Sequence, residues 1–259
     1  MGFYDLSKDK RAELVNEIKT KILSEVKASK QRVSTPLSLT INYFSDEDTY
    51  IRKSAYLSMG RIYIENKELQ PITISILNKL LNQTSAYIRQ TVINAAGEIG
   101  KTDFEIVQHF FEQGLFDEHH SVRNAVIGSV KKMSEKNPIP VLQWSKQYLY
   151  HPDKEIRREI CHGIELRGRT HPQDILPLLK ELQYDKTARV RNTLIHVIGQ
   201  IAYKKGCLQT VIANLNTWEN RELTAAAVEE IIDVHYRYRN FSVLTQKEAI
   251  AYIDKHYKK

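Results

Sequence analysis

The sequence predicts an all-α fold built from about six repeated two-helix units. The main observation is that a pair, Ile or Val followed by Arg, recurs at spacings of 37, 34, 34 and 34 residues. The five copies are Ile51-Arg52, Ile88-Arg89, Val122-Arg123, Ile156-Arg157 and Val190-Arg191. A period of about 20–50 residues is typical of stacked-repeat architectures. The second observation is an apolar or small residue three and seven places after every Arg, and because these positions share one helical face, each Arg opens an amphipathic helix.

The segment upstream of the paired residues is also helical in pattern. Pro71, Pro138 and Pro172 each precede an apolar run, and proline is tolerated in the first turn of a helix. Each repeat is therefore predicted to be two antiparallel helices, with the Arg at the start of the second.

A further position completes the repeat, six residues before each Arg. It is occupied by Asp46, Gln83, Asp117, His151 and Asp185. An acidic side chain there, facing the Arg of its own or the next repeat, predicts a ladder of charge-assisted hydrogen bonds along the stack.

These features resemble the HEAT repeat family, whose units carry Pro in the first helix, Asp in the turn and Val-Arg opening the second helix. The resemblance covers residues 36–205 and implies a right-handed α-α superhelix, or solenoid. A 34-residue period also suits tetratricopeptide repeats, but their Trp, Gly, Tyr and Pro positions do not recur here.

The chain is predicted to be one solenoid over residues 1–259. Residues 1–35 form an N-terminal cap that contains the Lys-rich helical segment 8–30, and residues 36–205 form five regular repeats. Residues 206–259 hold a degenerate sixth repeat and a C-terminal cap, because Leu223, Thr224 and Ala225 stand where the next Arg is due.

Composition excludes several classes of protein. With 10 Gly, 7 Pro and 2 Cys in 259 residues, the chain is not collagen-like, disordered or disulfide-stapled. It has no stretch of about 20 apolar residues and no signal-peptide layout at its N-terminus, so we expect a cytoplasmic protein that does not enter a membrane. The net charge of +7 indicates either anionic partners or a contribution to solubility alone.

The second helices are expected to present a binding surface. Positions 1, 5, 8, 9 and 12 after each Arg turn away from the apolar face and are polar and basic. Residues 151–205 hold 11 Lys and Arg against 7 Asp and Glu, and arginine suits phosphate because its planar fork donates two hydrogen bonds. The predicted nucleic-acid-binding residues are Lys53, Asn94, Asn124, Lys131, Lys132, Arg158, His162, Arg169, Asn192, His196 and Tyr203.

A second resemblance concerns residues 155–169, Glu-Ile-Arg-Arg-Glu-Ile-Cys-His-Gly-Ile-Glu-Leu-Arg-Gly-Arg, and the later Val190-Arg-Asn. Together they resemble the HEAT-like family of DNA alkylation-repair proteins. The resemblance implies contact with the backbone of duplex DNA on a basic concave face. Arg158 matches a family arginine, but the family's acidic residue falls on or beside Arg123, and no Trp accompanies it. Because a cation cannot stabilise a cationic transition state, the family's base-excision chemistry is not expected at that position.

The candidate catalytic residues are the two carboxylates on the predicted binding face, Glu165 and Glu98. Trp144, Trp218 and Cys161 are predicted to be packing residues. No metal-ligand spacing, phosphate loop or nucleophile elbow occurs, so neither a metal site nor a cofactor is predicted.

Three functions remain open on sequence grounds. The first is a non-catalytic protein that binds DNA or another nucleic acid on its second-helix face. The second is a DNA N-glycosylase that uses Glu165 or Glu98. The third is a protein-binding scaffold.

Overall fold

The helices that the sequence predicts are present throughout the described chain. A computed structural model describes residues 2–31 and 36–258, which form α-helices and two short 3-10 helices with no β-strand among them. None of the described helices is both long enough and apolar enough to cross a bilayer. The chain divides into two compact units, Met1–Ser129 (unit 1) and Val130–Lys259 (unit 2).

Unit 1 contains a capping helix and three pairs of helices. The cap is α1 (Lys8–Gln31). The pairs are α2 (Ser38–Ser45) with α3 (Thr49–Glu65), α4 (Gln70–Leu81) with α5 (Ala86–Gly100), and α6 (Phe104–Leu115) with α7 (His120–Lys136). The last residues of α7, from 130 onward, fall in unit 2.

Unit 2 contains three more pairs and a final helix. In the fourth pair a break at Ile164 divides the second helix into α9 and α10. The elements are α8 (Pro138–Tyr148) with α9 (Lys154–Gly163) and α10 (Glu165–Gly168), α11 (Pro172–Lys180) with α12 (Ala188–Ala202), α13 (Cys207–Leu215) with α14 (Arg221–Arg237), and α15 (Gln246–His256).

This arrangement confirms the predicted fold class, an all-α HEAT-like repeat fold with a helix at either end. The proline rule holds as well: Pro71 is the second residue of α4, and α8 and α11 begin at Pro138 and Pro172. The predicted N-terminal cap ends at residue 35, which lies outside the described residues. The division into a cap, five regular repeats and a degenerate end stays a prediction.

The core follows the spacing counted from each Arg. In all five copies the residues at positions 3 and 7 are no more than 1% exposed, from Ala55 and Met59 in α3 to Leu194 and Ile198 in α12. Trp144 and Trp218 are buried too, which confirms their assignment to packing. Cys161 is fully buried, and burial raises the pKa of its thiol.

An arginine ladder is present, but its carboxylates bind a different arginine from the two that the sequence suggested. Asp117 and Asp185 pair with the Arg of the preceding repeat, not with that of their own or the next repeat. Arg89 and Arg157 each donate Nη1 to the backbone carbonyl six residues upstream, in their own repeat, at 3.1 and 2.6 Å. Their Nε and Nη2 atoms donate to the carboxylate of the next repeat. The distances are 2.7 and 3.0 Å from Arg89 to Asp117, and 2.6 and 3.1 Å from Arg157 to Asp185. Each pair therefore joins two successive hairpins.

Close contact between neighbouring second helices in unit 1 gives a stability prediction at Gly97. A Cβ there would collide with the Oγ of Ser129 and would lie 2.7 Å from its Cβ, whereas a Cβ on Gly128 would meet nothing within 4 Å. We expect Gly97→Ala to lower the free energy of unfolding by about 1–3 kcal/mol through overpacking. The matched change Gly128→Ala should leave it unchanged or raise it by up to about 1 kcal/mol, because Ala favours helix. Urea unfolding of both variants measures the difference, and equal effects would contradict the contact.

Candidate functional site

Four of the residues predicted from the sequence meet in unit 2, around one buried carboxylate. Glu165, the first residue of α10, is 1% exposed. Its Oε1 accepts a hydrogen bond from Arg169, and its Oε2 lies 3.1 Å from both Lys131 Nζ and His162 Nε2. Arg169 also donates to Gln200 Oε1 at 3.1 Å. The carboxylate thus holds two cations and a histidine from three helical segments.

The charge of Glu165 is stabilised by these partners. Burial by itself would raise its pKa. The hydrogen bond from His162 and the positive charges of Lys131 and Arg169 act in the opposite direction, and together they lower the pKa to about 2. Glu165 is therefore ionised at neutral pH and has both oxygens in use.

Glu165 and two histidines form a group of side chains that could in principle bind a metal ion. Ligand atoms of His162, Glu165 and His196 all lie within 4.8 Å of one another. The ammonium of Lys131, however, lies 2.9 Å from His162 Nε2 and 3.1 Å from Glu165 Oε2. A cation already contacts two of the three groups, so the arrangement is satisfied as an ion-pair network.

Next to the network is a shallow pocket of about 430 Å³, which we call the basic pocket. Its lining is polar and comes from α9 and α12: Arg158, His162, Arg189, Asn192, Thr193 and His196. The rings of His162 and His196 meet edge to face, with centroids 6.1 Å apart. His196 Nδ1 lies 3.5 Å from Glu230 Oε1 of α14. The pocket is open to solvent, and its lining contains no carboxylate.

Carboxylates nevertheless surround the cations of this surface. Glu155 accepts from Arg158 Nε at 2.9 Å and lies 3.2 Å from Arg189 Nη1. Glu159 lies 3.7 Å from Arg158. With the Glu165 network included, Lys131, Arg158, Arg169 and Arg189 all lie within 4 Å of a carboxylate of Glu155, Glu159 or Glu165. The surface is chemically mixed, with positive groups held in fixed positions by negative ones.

The structure divides the sequence-predicted binding residues between the two units. Lys53, Asn94 and Asn124 lie in unit 1, as does the catalytic candidate Glu98, which pairs with Lys101. The remaining residues lie in unit 2, and of these the network and basic pocket use Lys131, Arg158, His162, Arg169, Asn192 and His196. Lys132 lies beside Lys131 in α7 and does not line the basic pocket.

Tyr203 corrects one expectation. The helical spacing predicts that its side chain points away from the core, yet Tyr203 is only 4% exposed. Tyr203 directly follows the last residue of α12, and Tyr238 directly follows the last residue of α14. The two rings stack at a centroid distance of 5.2 Å. The pattern of one helix cannot reveal burial by the next repeat, and Gln200, 3% exposed in the same helix, is covered in the same way.

Two residues of the basic pocket, Arg189 and Thr193, were not among the predicted binding residues. Arg189 precedes the ladder residue Arg191 by two places, and at about 100° per residue it lies on the same side of α12 as His196. Including the positions before each ladder Arg in the set of outward-facing helical positions would have identified Arg189. Thr193 carries no comparable signal in the sequence.

Comparison with known proteins gives distant similarities. No family model matches the chain. It is 27% identical over 171 residues to protein YibA of Escherichia coli K12, an alignment that covers 64% of this chain and 58% of YibA. The chain thus spans less than two thirds of the curated relatives it matches.

Solved structures are similarly remote. The crystal structure of Escherichia coli YibA has a TM-score of 0.42 at 19% identity, with 96% of this chain and 97% of that one covered. An archaeal HEAT-like repeat protein from Thermococcus onnurineus NA1 has a TM-score of 0.40 at 14% identity, with 88% and 98% covered. The helix pairs and the arginine ladder of the chain itself show the HEAT-like repeat fold.

Proposed function

We propose that this chain is a non-catalytic repeat protein that binds a partner protein on the second-helix surface of unit 2. That surface is the exposed side of α9, α12 and α14 around the basic pocket. The observation that carries the proposal is the interleaving of its charges. Cations fixed between carboxylates match a partner that presents complementary charges at set positions, and such complementarity gives specificity between proteins.

Nucleic acid is the second candidate, supported by the basic pocket with its two arginines and two histidines. A DNA backbone is a continuous line of negative charge, and affinity for it comes from cations free to neutralise several phosphates. Lys131 and Arg169 share the negative charge of Glu165, and Arg158 pairs with Glu155, so these cations are already engaged with carboxylates. This pairing favours a protein partner over DNA.

A DNA glycosylase finds less support. Stabilising positive charge on a sugar needs a carboxylate oxygen directed at the substrate. Both oxygens of Glu165 accept from protein groups beneath the surface, and Glu98 is paired with Lys101. Neither candidate is placed for that role.

The test combines partner capture with direct DNA binding. The tagged chain is incubated with nuclease-treated lysate, and Arg158→Glu/Arg189→Glu is compared with Lys146→Glu, which reverses an exposed charge on the first helix α8. We expect a stoichiometric protein that is retained by wild type and Lys146→Glu and reduced at least about tenfold by the double variant. Tenfold corresponds to about 1.4 kcal/mol of binding free energy.

The companion measurement is titration of a labelled 25-base-pair duplex at about 50 mM salt. We expect no saturable binding in the micromolar range. Tight binding that weakens steeply with salt, is abolished by the double variant and leaves no nuclease-resistant protein partner would overturn the proposal in favour of nucleic acid.

A further inference from the structure

Two of the ladder arginines, Arg89 and Arg157, show how this fold binds a carboxylate. Arg89 and Arg157 use the same atoms in the same way: Nη1 goes to a carbonyl of the same repeat, while Nε and Nη2 grip an Asp 28 residues later in the chain. This two-bond fork is the geometry in which arginine binds carboxylates best.

Arg191, the corresponding residue of α12, lacks the second half of this arrangement. Its Nη1 donates to the carbonyl of Asp185 at 2.6 Å, as in the other repeats. Within residues 2–31 and 36–258, no carboxylate pairs with its Nε or Nη2. Glu219, 28 residues later, is held by Lys180 Nζ at 2.9 Å and Gln183 Nε2 at 2.8 Å. The carboxylate position on Arg191 is therefore vacant within the described chain.

A pocket of about 420 Å³ lies at this position, which we call the Arg191 pocket. Arg191, Lys186 and Asn192 supply donors, while Tyr184, Ile195 and Leu223 supply an apolar wall. The volume is in the range of protein sites that hold small groups, and the combination of a few donors with an apolar wall is also typical of them.

The charges around the pocket indicate what it would accept. Asp185 lines it, but its carboxylate is already paired with Arg157. Arg191 and Lys186 then face one remaining carboxylate, that of Glu222 in the first turn of α14. The balance of +1 matches a singly charged carboxylate better than a doubly charged phosphate.

We infer that the Arg191 pocket binds a side-chain carboxylate of the protein partner, which takes on Arg191 the place that Asp117 and Asp185 take on Arg89 and Arg157. The inference rests on the proposed function, because it names the group that the partner presents. The Arg191 pocket shares Asn192 with the basic pocket, so one partner segment lying along α12 reaches both.

The test uses a defined probe in place of the unidentified partner. N-acetyl-aspartate N-methylamide, at neutral pH, is titrated into the ¹⁵N-labelled chain, and the amide signals of residues 184–195 and 220–226 are followed. We expect saturable shifts with a millimolar dissociation constant, and none with the neutral asparagine analogue. Arg191→Lys keeps the charge but removes the fork, and should weaken binding at least about tenfold. The matched variant Arg239→Lys, after the end of α14 and outside both pockets, should bind like wild type.

Three results would overturn the inference. They are equal shifts with the asparagine analogue, tighter binding of inorganic phosphate than of the aspartate probe, and unchanged affinity in an Arg191→Lys variant whose spectrum remains that of the folded protein. If partner capture succeeds while the aspartate probe fails, the scaffold function stands and only the Arg191 assignment falls. If the probe binds and no partner is captured, the Arg191 pocket is a carboxylate site, but its assignment to a protein partner falls together with the proposed function.

Discussion

Asp185→Ala is expected to lower the free energy of unfolding by about 3–5 kcal/mol, the cost of leaving one member of a buried ion pair without its partner. The side chain of Asp185 is 5% exposed and that of Arg157 is 14% exposed. The guanidinium would keep its two carbonyl acceptors, His151 and Pro152, but its charge would have no counterion. Urea unfolding of the full chain, followed by helical circular dichroism, measures the loss.

Two comparisons distinguish the ladder from charge loss in general. Asp233→Ala removes one of the two carboxylates that pair with the exposed Arg237, four residues later in α14, and should cost less than about 0.5 kcal/mol because Arg237 keeps Glu230. The double variant Arg157→Met/Asp185→Leu removes both charges, so no charge is left buried without its counterion. It should recover more than half of the unfolding free energy that Asp185→Ala loses. A cost below about 1 kcal/mol for Asp185→Ala would mean that the ladder does not hold the hairpins together.

Glu165→Gln is expected to flatten the acid dependence of stability. Because the folded pKa of about 2 lies below the ordinary value of 4.5, ionised Glu165 contributes stability that is complete above about pH 4.5 and disappears as the pH falls toward 2. The shift corresponds to about 3 kcal/mol at pH 7, of which about 2 kcal/mol is lost by pH 3.

The measurement is the free energy of unfolding at pH 7 and pH 3, for wild type and Glu165→Gln. The pKa values of Asp117 and Asp185 are also lowered, so both proteins lose stability in acid. The loss should be smaller in the variant by about 2 kcal/mol. Identical pH dependence in the two proteins would show that Lys131, His162 and Arg169 do not stabilise the Glu165 carboxylate.

Much of the architecture follows from residue spacing. The interval between successive Arg residues predicts the repeat, and the positions three and seven places later predict the core, because both depend on periodicity within one helix. The partner of each ladder carboxylate was predicted wrongly. Spacing suggested the Arg of the same repeat or of the next one, whereas Asp117 and Asp185 bind the Arg of the preceding repeat.

The candidate site was less accessible to sequence reasoning. Glu165 was identified as a carboxylate on the binding face, but its burial was not predicted. The buried charge is compensated by Lys131, 34 residues before it, and by Arg169, four residues after it. The vacancy on Arg191 follows from the pairing of Glu219 with Lys180, which the spacing of the repeats does not encode. Contacts between neighbouring repeats determine the surroundings of Glu165 and Arg191, and they also bury Tyr203.

The most direct test of the proposed function is photocrosslinking in cells from one position on each side of unit 2. Benzoylphenylalanine is placed at Asn192, exposed on α12, or at Gln143, exposed on the first helix α8. We predict a protein adduct of defined mass from position 192 that survives nuclease treatment, and no matching adduct from position 143. Adducts from position 143 with none from 192, or adducts at 192 that nuclease removes, would contradict a protein-binding surface on the second helices.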